Sequence, residues 1–291
     1  FLAPCPFLSI IDFYPLSLLC EDSHNKDSDT LLEGVKRAGV PFLLEHSHTT
    51  ADAPQTVYHT RDVLHLLENE GVACRVQYPH YKGKRTTLCA VIPEKGTPPT
   101  RLIRYCCTIL KQEGKRESIV LTGVRWDEST RRKSTRGFFE KNAPDITKRV
   151  ILREDTEENR QRFHLLTKET ALVTANPLAD WLDSDIWSFC TSERIQMNQL
   201  YDMGFSRVGC VGCPMGGKKR YREFALFPAF EQMYRRAFEK MLVARKQRGL
   251  SNRLDWKTAD DVFRWWMEDR NLAGQISIED YLNGEVKENG V

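Results

Sequence analysis

Four of the nine cysteines are spaced as metal ligands often are. Cys106 and Cys107 are adjacent, and Cys210 and Cys213 form a Cys-x-x-Cys pair much later in the chain. Gly212 lies between the second pair and relaxes the loop, so that both sulfurs can face one ion. Tetrahedral thiolate ligation suits either zinc or an iron–sulfur cluster. The alternative is that these cysteines are buried and act as small apolar side chains.

A second group of polar residues has the composition of a phosphate site. Ser23, Lys26 and Ser28 lie in one short segment directly before a helix that the residue spacing predicts at Thr30–Ala38. Backbone N–H groups at a helix N-terminus bind phosphate, and a lysine and serine hydroxyls add charge and donors. A polar box that only caps the helix is the alternative interpretation.

Two arginine-rich segments could bind anions. Arg125, Arg131 and Arg132 follow a strand predicted at Ser118–Thr122, and guanidinium groups bind sulfate or phosphate through paired hydrogen bonds. The segment Lys218-Lys219-Arg220-Tyr221-Arg222 could contact a nucleotide phosphate or a nucleic-acid backbone. A solvated charged surface is the alternative for both segments.

The order of these motifs resembles that of the phosphoadenylyl-sulfate (PAPS) reductase family, which belongs to the adenine-nucleotide alpha-hydrolase superfamily. Lys26-Asp27-Ser28 resembles the end of the family's Ser-Gly-Gly-Lys-Asp-Ser phosphate loop. The likeness covers Glu21 to Leu242. In chain order, the matching segments are Lys26–Leu32, His48–Asp52, Arg104–Cys107 with Lys111, Gly123–Ser129 with Arg131 and Arg132, Asn176–Leu178, and Gly209–Pro214.

The resemblance implies a site for an adenine nucleotide or sulfonucleotide: ATP, PAPS or adenylyl sulfate (APS). Lys26 would neutralise phosphate charge, and Arg125 and Arg132 would bind the sulfate or phosphate end. The residues that the resemblance assigns to the nucleotide are Ser23, Lys26, Asp27, Ser28, Thr49, Asp52, Gly123, Arg125 and Arg132. The adjacent cysteine pair is similar to that of iron–sulfur APS reductases. It therefore favours a 4Fe-4S cluster over zinc on the four cysteines Cys106, Cys107, Cys210 and Cys213.

The sequence departs from the family pattern at two places. His24 and Asn25 stand where the family loop has two glycines, whose tolerance of positive φ lets the backbone approach phosphate. We therefore expect weakened nucleotide binding. In the family's reductases a C-terminal cysteine attacks the sulfonucleotide, and this chain has no cysteine after Cys213.

Three functions are compatible with these motifs. The first is a PAPS reductase-type oxidoreductase that uses a thiol reductant. The second is an ATP-dependent sulfurtransferase similar to the DNA phosphorothioation enzyme, with a sulfur donor and with Lys218–Arg222 at the nucleic acid. The third is an inactive remnant whose phosphate loop has decayed.

The elements that must position these residues alternate between strands and helices. Strands are predicted at Val40–Glu45, Val72–Tyr78, Ser118–Thr122 and Leu172–Thr174. Helices are predicted at Thr30–Ala38, Val57–Glu70, Leu102–Lys111, Trp181–Cys190, Phe224–Arg248 and Ala259–Asp269. This alternation predicts an α/β fold, with a mostly parallel sheet flanked by helices over residues 1–215 and a helical C-terminal region over 216–291. Lys141–Arg162 is predicted to be a flexible loop.

Composition narrows the class of protein but not its partner. The 291 residues are 41% hydrophobic and 29% charged, which is enough for a sizeable core. A net charge of +3 selects no particular partner. No segment resembles a transmembrane span. The odd number of cysteines and their clustering favour a reducing cytoplasm over a disulfide-bonded secreted protein.

Overall fold

The computed structural model describes residues 17–22, 24–111, 118–143, 145–167, 173–250 and 256–268. These residues form two compact units. One unit contains the described residues up to Arg85 together with Ile109–Cys210. The other contains Thr86–Thr108 and the described residues from Val211 onwards.

Strands and helices alternate along much of the described chain. Its first half contains β1 (Ser17–Asp22), α1 (Lys26–Ala38), β2 (Leu43–Ser47), α2 (Pro54–Asn69), β3 (Ala73–Gln77), β4 (His80–Tyr81), β5 (Lys84–Arg85), α3 (Leu88–Lys95), α4 (Tyr105–Lys111) and β6 (Ser118–Leu121). Its second half contains α5 (Thr130–Thr135), β7 (Phe139–Lys141), β8 (Val150–Leu152), α6 (Glu157–Thr167), β9 (Val173–Ala175), α7 (Asp183–Ser192), α8 (Lys219–Leu226), α9 (Pro228–Gln247) and α10 (Ala259–Glu268).

A seven-stranded sheet forms the centre of the first unit. Its strand order is β3-β2-β1-β6-β9-β7-β8. The first five of these strands pair in parallel, whereas β7 runs antiparallel to both of its neighbours. Parallel neighbours need crossover connections, and α1 and α2 provide them between β1, β2 and β3. The predicted α/β fold with a mostly parallel sheet is confirmed.

Helix α1 shows how the sequence sets one of these crossovers. Leu31 and Val35 are four residues apart, so they lie on the same helix face, and both are buried in the core. The helix ends at Ala38 because Gly39 adopts a left-handed conformation with φ 67°, and its N–H donates to the carbonyl of Lys36. The sequence predicts the stop at Gly39, but the helix begins at Lys26, four residues earlier than predicted.

Two predictions of secondary structure are wrong. The segment Lys141–Arg162 is not a loop, because Val150–Leu152 forms β8 against β7 and α6 begins at Glu157. The single helix predicted at Phe224–Arg248 is two helices, α8 and α9, which meet at Phe227. Pro228 has no N–H to donate and disfavours helical geometry in the residue before it, so α8 cannot continue into α9.

The second unit is helical and holds a cluster of aromatic side chains. Trp266 lies at the centre of this cluster and donates a 2.7 Å hydrogen bond from Nε1 to the carbonyl of Pro99. Rings pack around it with centroid distances of 4.7–6.1 Å: Phe224, Tyr234, Phe238 and Phe263. Within the described residues, no helix combines the length and apolarity needed to cross a membrane.

The division between the units differs from the expected boundary between residues 215 and 216. Thr86–Thr108 lies with the C-terminal helices because α3 packs against α9. Arg245 Nη1 donates to the carbonyl of Gly96 at 2.6 Å, and Arg248 Nη1 donates to that of Glu94 at 2.8 Å. These contacts join segments that are far apart in the sequence. The hydrophobic periodicity of either segment does not predict them.

Candidate functional site

A cavity of about 490 Å³ lies at the carboxyl ends of β1 and β6. These two strands are neighbours, but the chain leaves β1 towards β2 on one side and leaves β6 towards β9 on the other. Loops diverge at such a point of a parallel sheet and leave a crevice that binds ligands. The cavity is lined by residues of the first unit, including six of the nine predicted nucleotide residues: Lys26, Asp27, Ser28, Gly123, Arg125 and Arg132.

The other three predicted nucleotide residues are placed differently. Ser23 lies outside the described residues. Thr49 is buried and bonds to Asp52, with its N–H 3.0 Å and its hydroxyl 2.7 Å from the two carboxylate oxygens. Neither Thr49 nor Asp52 is among the residues that line the cavity. Their hydrogen bonds instead stabilise the turn that follows β2.

Arg125 is the most buried cation of the cavity, with 2% of its surface exposed. Its Nε donates to Asp27 Oδ1 at 2.6 Å, and its Nη2 donates to Asp183 Oδ1 at 2.9 Å. Burial lowers the pKa of Arg125, but the two carboxylates outweigh it and hold the pKa above its ordinary value. Arg125 is therefore a fixed positive charge on the cavity wall.

Lys26 shares Asp183 with Arg125. Its Nζ forms an ion pair with the same Oδ1 of Asp183 and lies 3.4 Å from Asp27 Oδ1. Burial raises the pKa of Asp183, yet the hydrogen bonds and charges of Lys26 and Arg125 prevail and lower it. Asp183 is thus an anion held between the two cations to which the sequence assigns phosphate binding.

The N-terminus of α1 is closed by a side chain. Asn25 Oδ1 accepts hydrogen bonds from the N–H groups of Asp27 and Ser28, both at 3.0 Å, and Ser28 Oγ accepts from the N–H of Asn25 at 3.1 Å. The N–H of Lys26 donates to Tyr201 Oη at 2.9 Å. The segment therefore forms the helix cap that was the alternative interpretation. The N–H groups that a phosphate would use already donate hydrogen bonds to other residues of the chain.

Positive φ falls on His24 and not on Asn25. His24 has φ 51°, whereas Asn25 is extended with φ −105°. Of the two positions where the family loop has glycine, His24 alone adopts a conformation in which a side chain is strained. Asn25 differs from the family's glycine through its side chain, which accepts the hydrogen bonds that a bound anion would accept.

Arg132 carries a third positive charge into the cavity. Burial lowers its pKa, the neighbouring Glu128 raises it, and the guanidinium groups of Arg207 and Arg136 lower it further. The net shift is downward, as expected where cations gather in a partly buried place. A bound anion would relieve this repulsion.

Close packing at Gly123 brings the β6 loop against the start of α1. A Cβ atom built on Gly123 would lie 2.9 Å from the carbonyl carbon and oxygen of Asp27. Only glycine allows this approach, which sets Arg125 beside Asp27. Asn176 supports the same loop from behind, since its buried amide donates to Glu140 Oε1 at 2.8 Å and its side chain pairs with Thr122.

Asp183, Tyr201 and Arg207 line the cavity but were not among the predicted site residues. Asp183 contacts Lys26 across 157 positions of the chain, and Tyr201 contacts it across 175. Burial raises the pKa of Tyr201, so its hydroxyl stays protonated and accepts from Lys26 as a neutral phenol. No local pattern in the sequence indicates these three residues.

The four candidate metal-ligand cysteines are half-buried and are divided between the units. In the first unit, Cys210 pairs with Asp52 in an isolated β-bridge, and its sulfur lies 3.3 Å from Thr49 Oγ1. In the second unit, Cys106 and Cys107 lie in the first turn of α4, and Cys213 directly precedes a short 3₁₀ turn.

The loop before Cys213 is fixed by its own unit. The N–H of Gly212 donates to Glu223 Oε2 at 2.7 Å, and Tyr234 Oη donates to the carbonyl of Val211 at 2.9 Å. Gly212 has φ 74°, and a Cβ there would lie 2.6 Å from the ring of Phe224. Glycine is therefore required at this position.

The other described cysteines have the surroundings of neutral thiols. Cys20 is completely buried in the core. Burial raises the pKa of Cys74 to about 11 and also raises the pKa values of Cys89 and Cys190. Since the thiolate is the form that binds metal, these side chains are poor ligands.

The basic segment Lys218–Arg222 is not uniformly exposed. Lys218, Lys219 and Arg222 are exposed, but Arg220 is fully buried. Its Nη2 donates to the carbonyl of Met267 at 3.3 Å, and its guanidinium lies over the ring of Trp266 at 5.0 Å. Arg220 is thus a packing residue of the second unit, and the expectation that it faces a nucleic acid is wrong.

Comparison with known proteins identifies the family. The model of the phosphoadenosine phosphosulfate reductase domain matches residues 55–215, which is more than half of the chain. The chain belongs to this family. The match begins after α1, and so after the segment in which His24 and Asn25 depart from the family loop.

Individual proteins match parts of this PAPS reductase-family chain. It is 29% identical over 160 residues to an uncharacterised 37.8 kDa protein of Escherichia phage 186, covering 54% of this chain and 43% of the phage protein. It is 25% identical over 112 residues to adenosine 5'-phosphosulfate reductase of Burkholderia cepacia, covering 38% of this chain and 36% of the reductase. The chain thus spans less than half the length of either relative.

Among solved structures, the PAPS reductase of Candida auris in its phosphate complex superposes with a TM-score of 0.47 and 17% identity. This superposition covers 72% of the present chain and 88% of the Candida chain.

Proposed function

We propose that this PAPS reductase-family chain binds an adenylyl sulfonucleotide, APS or PAPS, in the cavity at the ends of β1 and β6 and reduces it to sulfite. The observation that carries this proposal is the convergence of Lys26, Arg125 and Arg132 on one cavity at the point where the sheet order reverses. Three cations at that point suit the phosphate and sulfate groups of such a substrate. In this reaction one thiol of a dithiol would attack the sulfate sulfur and release the nucleotide as its leaving group, and the second thiol would then displace sulfite and close a disulfide.

In this proposal, the substrate anion takes the place of Asp183. The Asp183 carboxylate pairs with both Lys26 and Arg125, and its side chain is 53% exposed to solvent. A phosphate carries more charge than one carboxylate and offers more acceptor oxygens. We infer that phosphate binding moves Asp183 outwards and leaves the two cations in place.

We propose further that Cys106, Cys107, Cys210 and Cys213 hold a 4Fe-4S cluster. The donor set fits such a group, because all four are half-buried thiols, whereas burial raises the pKa values of Cys74, Cys89 and Cys190. When bound, the cluster would supply iron-held sulfide or electron transfer. The four cysteines would supply the thiolate ligands, and Lys26 and Arg125 would bind the substrate anion.

The ATP-dependent sulfurtransferase remains the second candidate. The exposed side chains of Lys218, Lys219 and Arg222 favour it, since they could follow a nucleic-acid backbone. In that reaction ATP would activate an acceptor oxygen and release pyrophosphate, and sulfur would then displace AMP.

The two reactions are distinguished by their products. The anaerobically purified chain is incubated with sulfur-labelled APS or PAPS and a dithiol, and separately with ATP and nucleic acid. We expect labelled sulfite in the first reaction and its loss in Arg132→Ala, with Arg131→Ala as the matched control. Arg131 lies beside Arg132 on α5 but is exposed and does not line the cavity. Pyrophosphate without sulfite would support the sulfurtransferase. The absence of both pyrophosphate and sulfite would refute both enzymatic functions.

The cluster is tested by iron and acid-labile sulfide analysis of the same preparation. We expect Cys213→Ser to lose iron and sulfide together and Cys89→Ser to retain both. Zinc without sulfide in the unmodified chain would refute the cluster.

A further inference from the structure

Three side chains with metal-binding atoms meet in the interior of the first unit. His24 follows β1, Asp29 lies in the first turn of α1, and His59 lies within α2. Their exposed fractions are 0%, 4% and 7%. One ligand atom from each lies within 4.8 Å of the other two. Two imidazoles and a carboxylate are a donor set that divalent transition metals accept.

The spacing within this group approaches that of ligands around an ion. His59 Nε2 lies 3.4 Å from Asp29 Oδ2, and His24 Nδ1 lies 4.0 Å from Asp29 Oδ1. Both separations exceed the range of about 2.7–3.2 Å for a nitrogen–oxygen hydrogen bond. Tetrahedral zinc with bonds of about 2.0–2.1 Å holds its ligand atoms about 3.3 Å apart. The His59–Asp29 separation already has that spacing, whereas His24 would have to move about 0.7 Å closer to Asp29 to reach it.

The backbone holds His24 in a conformation that directs its ring into this group. His24 adopts the left-handed region, φ 51°, which is strained for a residue with a side chain. Its ring is fully buried and packs against His46 and His59 at centroid distances of 4.9 Å and 5.4 Å. A metal bond to the imidazole would offset this strain.

A neighbouring group of the same residue types is a weaker candidate. His46, His48 and Asp52 also lie within 4.8 Å of one another, but only His46 of these three is buried. The Asp52 carboxylate already accepts two hydrogen bonds from Thr49, at 3.0 Å and 2.7 Å. This group therefore serves as the internal comparison.

We propose that His24, Asp29 and His59 bind a divalent transition-metal ion, with Zn²⁺ as the ion whose ligand preferences they fit. Three protein ligands leave a coordination position for solvent. The buried carboxylate of Asp29 then faces a cation, which offsets the desolvation of its charge. This site is separate from the four cysteines and does not depend on nucleotide binding or on sulfonucleotide reduction.

The test measures metal binding by the intact chain after it is stripped with a chelator. Zn²⁺ binding is followed by calorimetry, and Co²⁺ is used as a probe because its visible d–d bands distinguish nitrogen and oxygen ligation from thiolate ligation. We expect His59→Gln to weaken the thiolate-free site by at least ~100-fold, since even changes behind a ligand cost 10–100-fold. His65→Gln, on the same helix but exposed, should bind as the unmodified chain does.

Two further variants make the outcome decisive. His24→Gly removes a ligand while giving the backbone the residue that best tolerates φ 51°, and we expect it to lose the same site. If His59→Gln does not fold, as judged by circular dichroism, Asp29→Asn replaces it with an isosteric side chain. Unchanged thiolate-free binding in His24→Gly and in whichever of His59→Gln and Asp29→Asn folds would overturn the proposal. Loss of that binding in His48→Gln alone would also overturn it and would assign the ion to the neighbouring group.

Discussion

Asp183 Oδ1 lies 2.9 Å from Arg125 Nη2 and also pairs with Lys26, so this half-exposed carboxylate, together with Asp27, pairs with both cations that the proposed substrate would need. The same cavity contains Arg132 and Arg207, and burial together with the charge of Arg207 lowers the pKa of Arg132. The site is therefore assembled as a set of cations paired with carboxylates of the chain. This arrangement leads to specific expectations for binding.

Asp183→Asn should tighten nucleotide binding, because it removes one of the two carboxylates that pair with Lys26 and Arg125 and leaves both cations in place. An exposed ion pair contributes up to about 1 kcal/mol, which corresponds to a ~5-fold decrease in Kd. Calorimetric titration with APS measures this change. Asp180→Asn is the matched control, since Asp180 is exposed, carries the same charge and does not line the cavity. An equal change in both variants would show that only net charge matters.

Asn25→Gly should also tighten binding, for a different reason. It frees the N–H groups of Asp27 and Ser28, which the Asn25 side chain now caps, and so opens the N-terminus of α1 to phosphate. Glycine at a cap costs only a few tenths of a kcal/mol, so the fold should persist. Asn25→Ser keeps a capping side chain and should leave the Kd unchanged. Weaker binding by Asn25→Gly would contradict the account of this loop.

Gly123→Ala should destabilise the chain and weaken binding together. The added Cβ would lie 2.9 Å from the backbone of Asp27, and such overpacking costs roughly 1–3 kcal/mol. Gly34→Ala is a control of opposite sign, because Gly34 lies within α1 with no atom within 4 Å of an added Cβ. It should stabilise the helix by roughly 0.5–1 kcal/mol. Urea unfolding measures both changes, and equal stability of the two variants would refute the close contact.

The reactivity of Cys74 should depend on pH in a way that an exposed thiol does not. Burial raises its pKa to about 11, so at pH 8 it carries ~200-fold less thiolate than an ordinary thiol of pKa about 8.5. Because the raised pKa favours the protonated form, alkylation by iodoacetamide should keep rising from about pH 8 to about pH 10.5. Peptide mass spectrometry follows the modification at this residue. A rate that levels off by about pH 9 would show that the thiol is not held protonated.

The sequence predicts most of the fold because its strands and helices have clear hydrophobic periods and stops, such as Gly39 after α1. It fails at β8, where three residues become a strand only through pairing with β7. It also fails at Phe227, where the proline that follows outweighs a continuous helical pattern. Local pattern carries no information about pairing across the sheet.

The candidate site is predictable to a similar extent. Lys26 and Arg125 can be assigned from motifs, and the structure places both on the cavity. Asp183 and Tyr201 reach the same place from distant segments, so no motif contains them. The choice between a cap and an open phosphate loop at Asn25 depends on the direction of one side chain, which the sequence leaves open. The cytoplasmic location, the four-cysteine cluster and the substrate stay predictions.

Hydrogen–deuterium exchange of the intact chain, with and without saturating APS, tests the location of the proposed nucleotide site most directly. Bound substrate should slow exchange in peptides that contain Lys26–Ser28 and Gly123–Arg132, because those amides lie around the cavity. Peptides from α9, which contributes no residue to the cavity lining, should exchange as before. Protection confined to α9, or no protection at any peptide while APS is shown to bind, would contradict the assignment of the cavity as the substrate site.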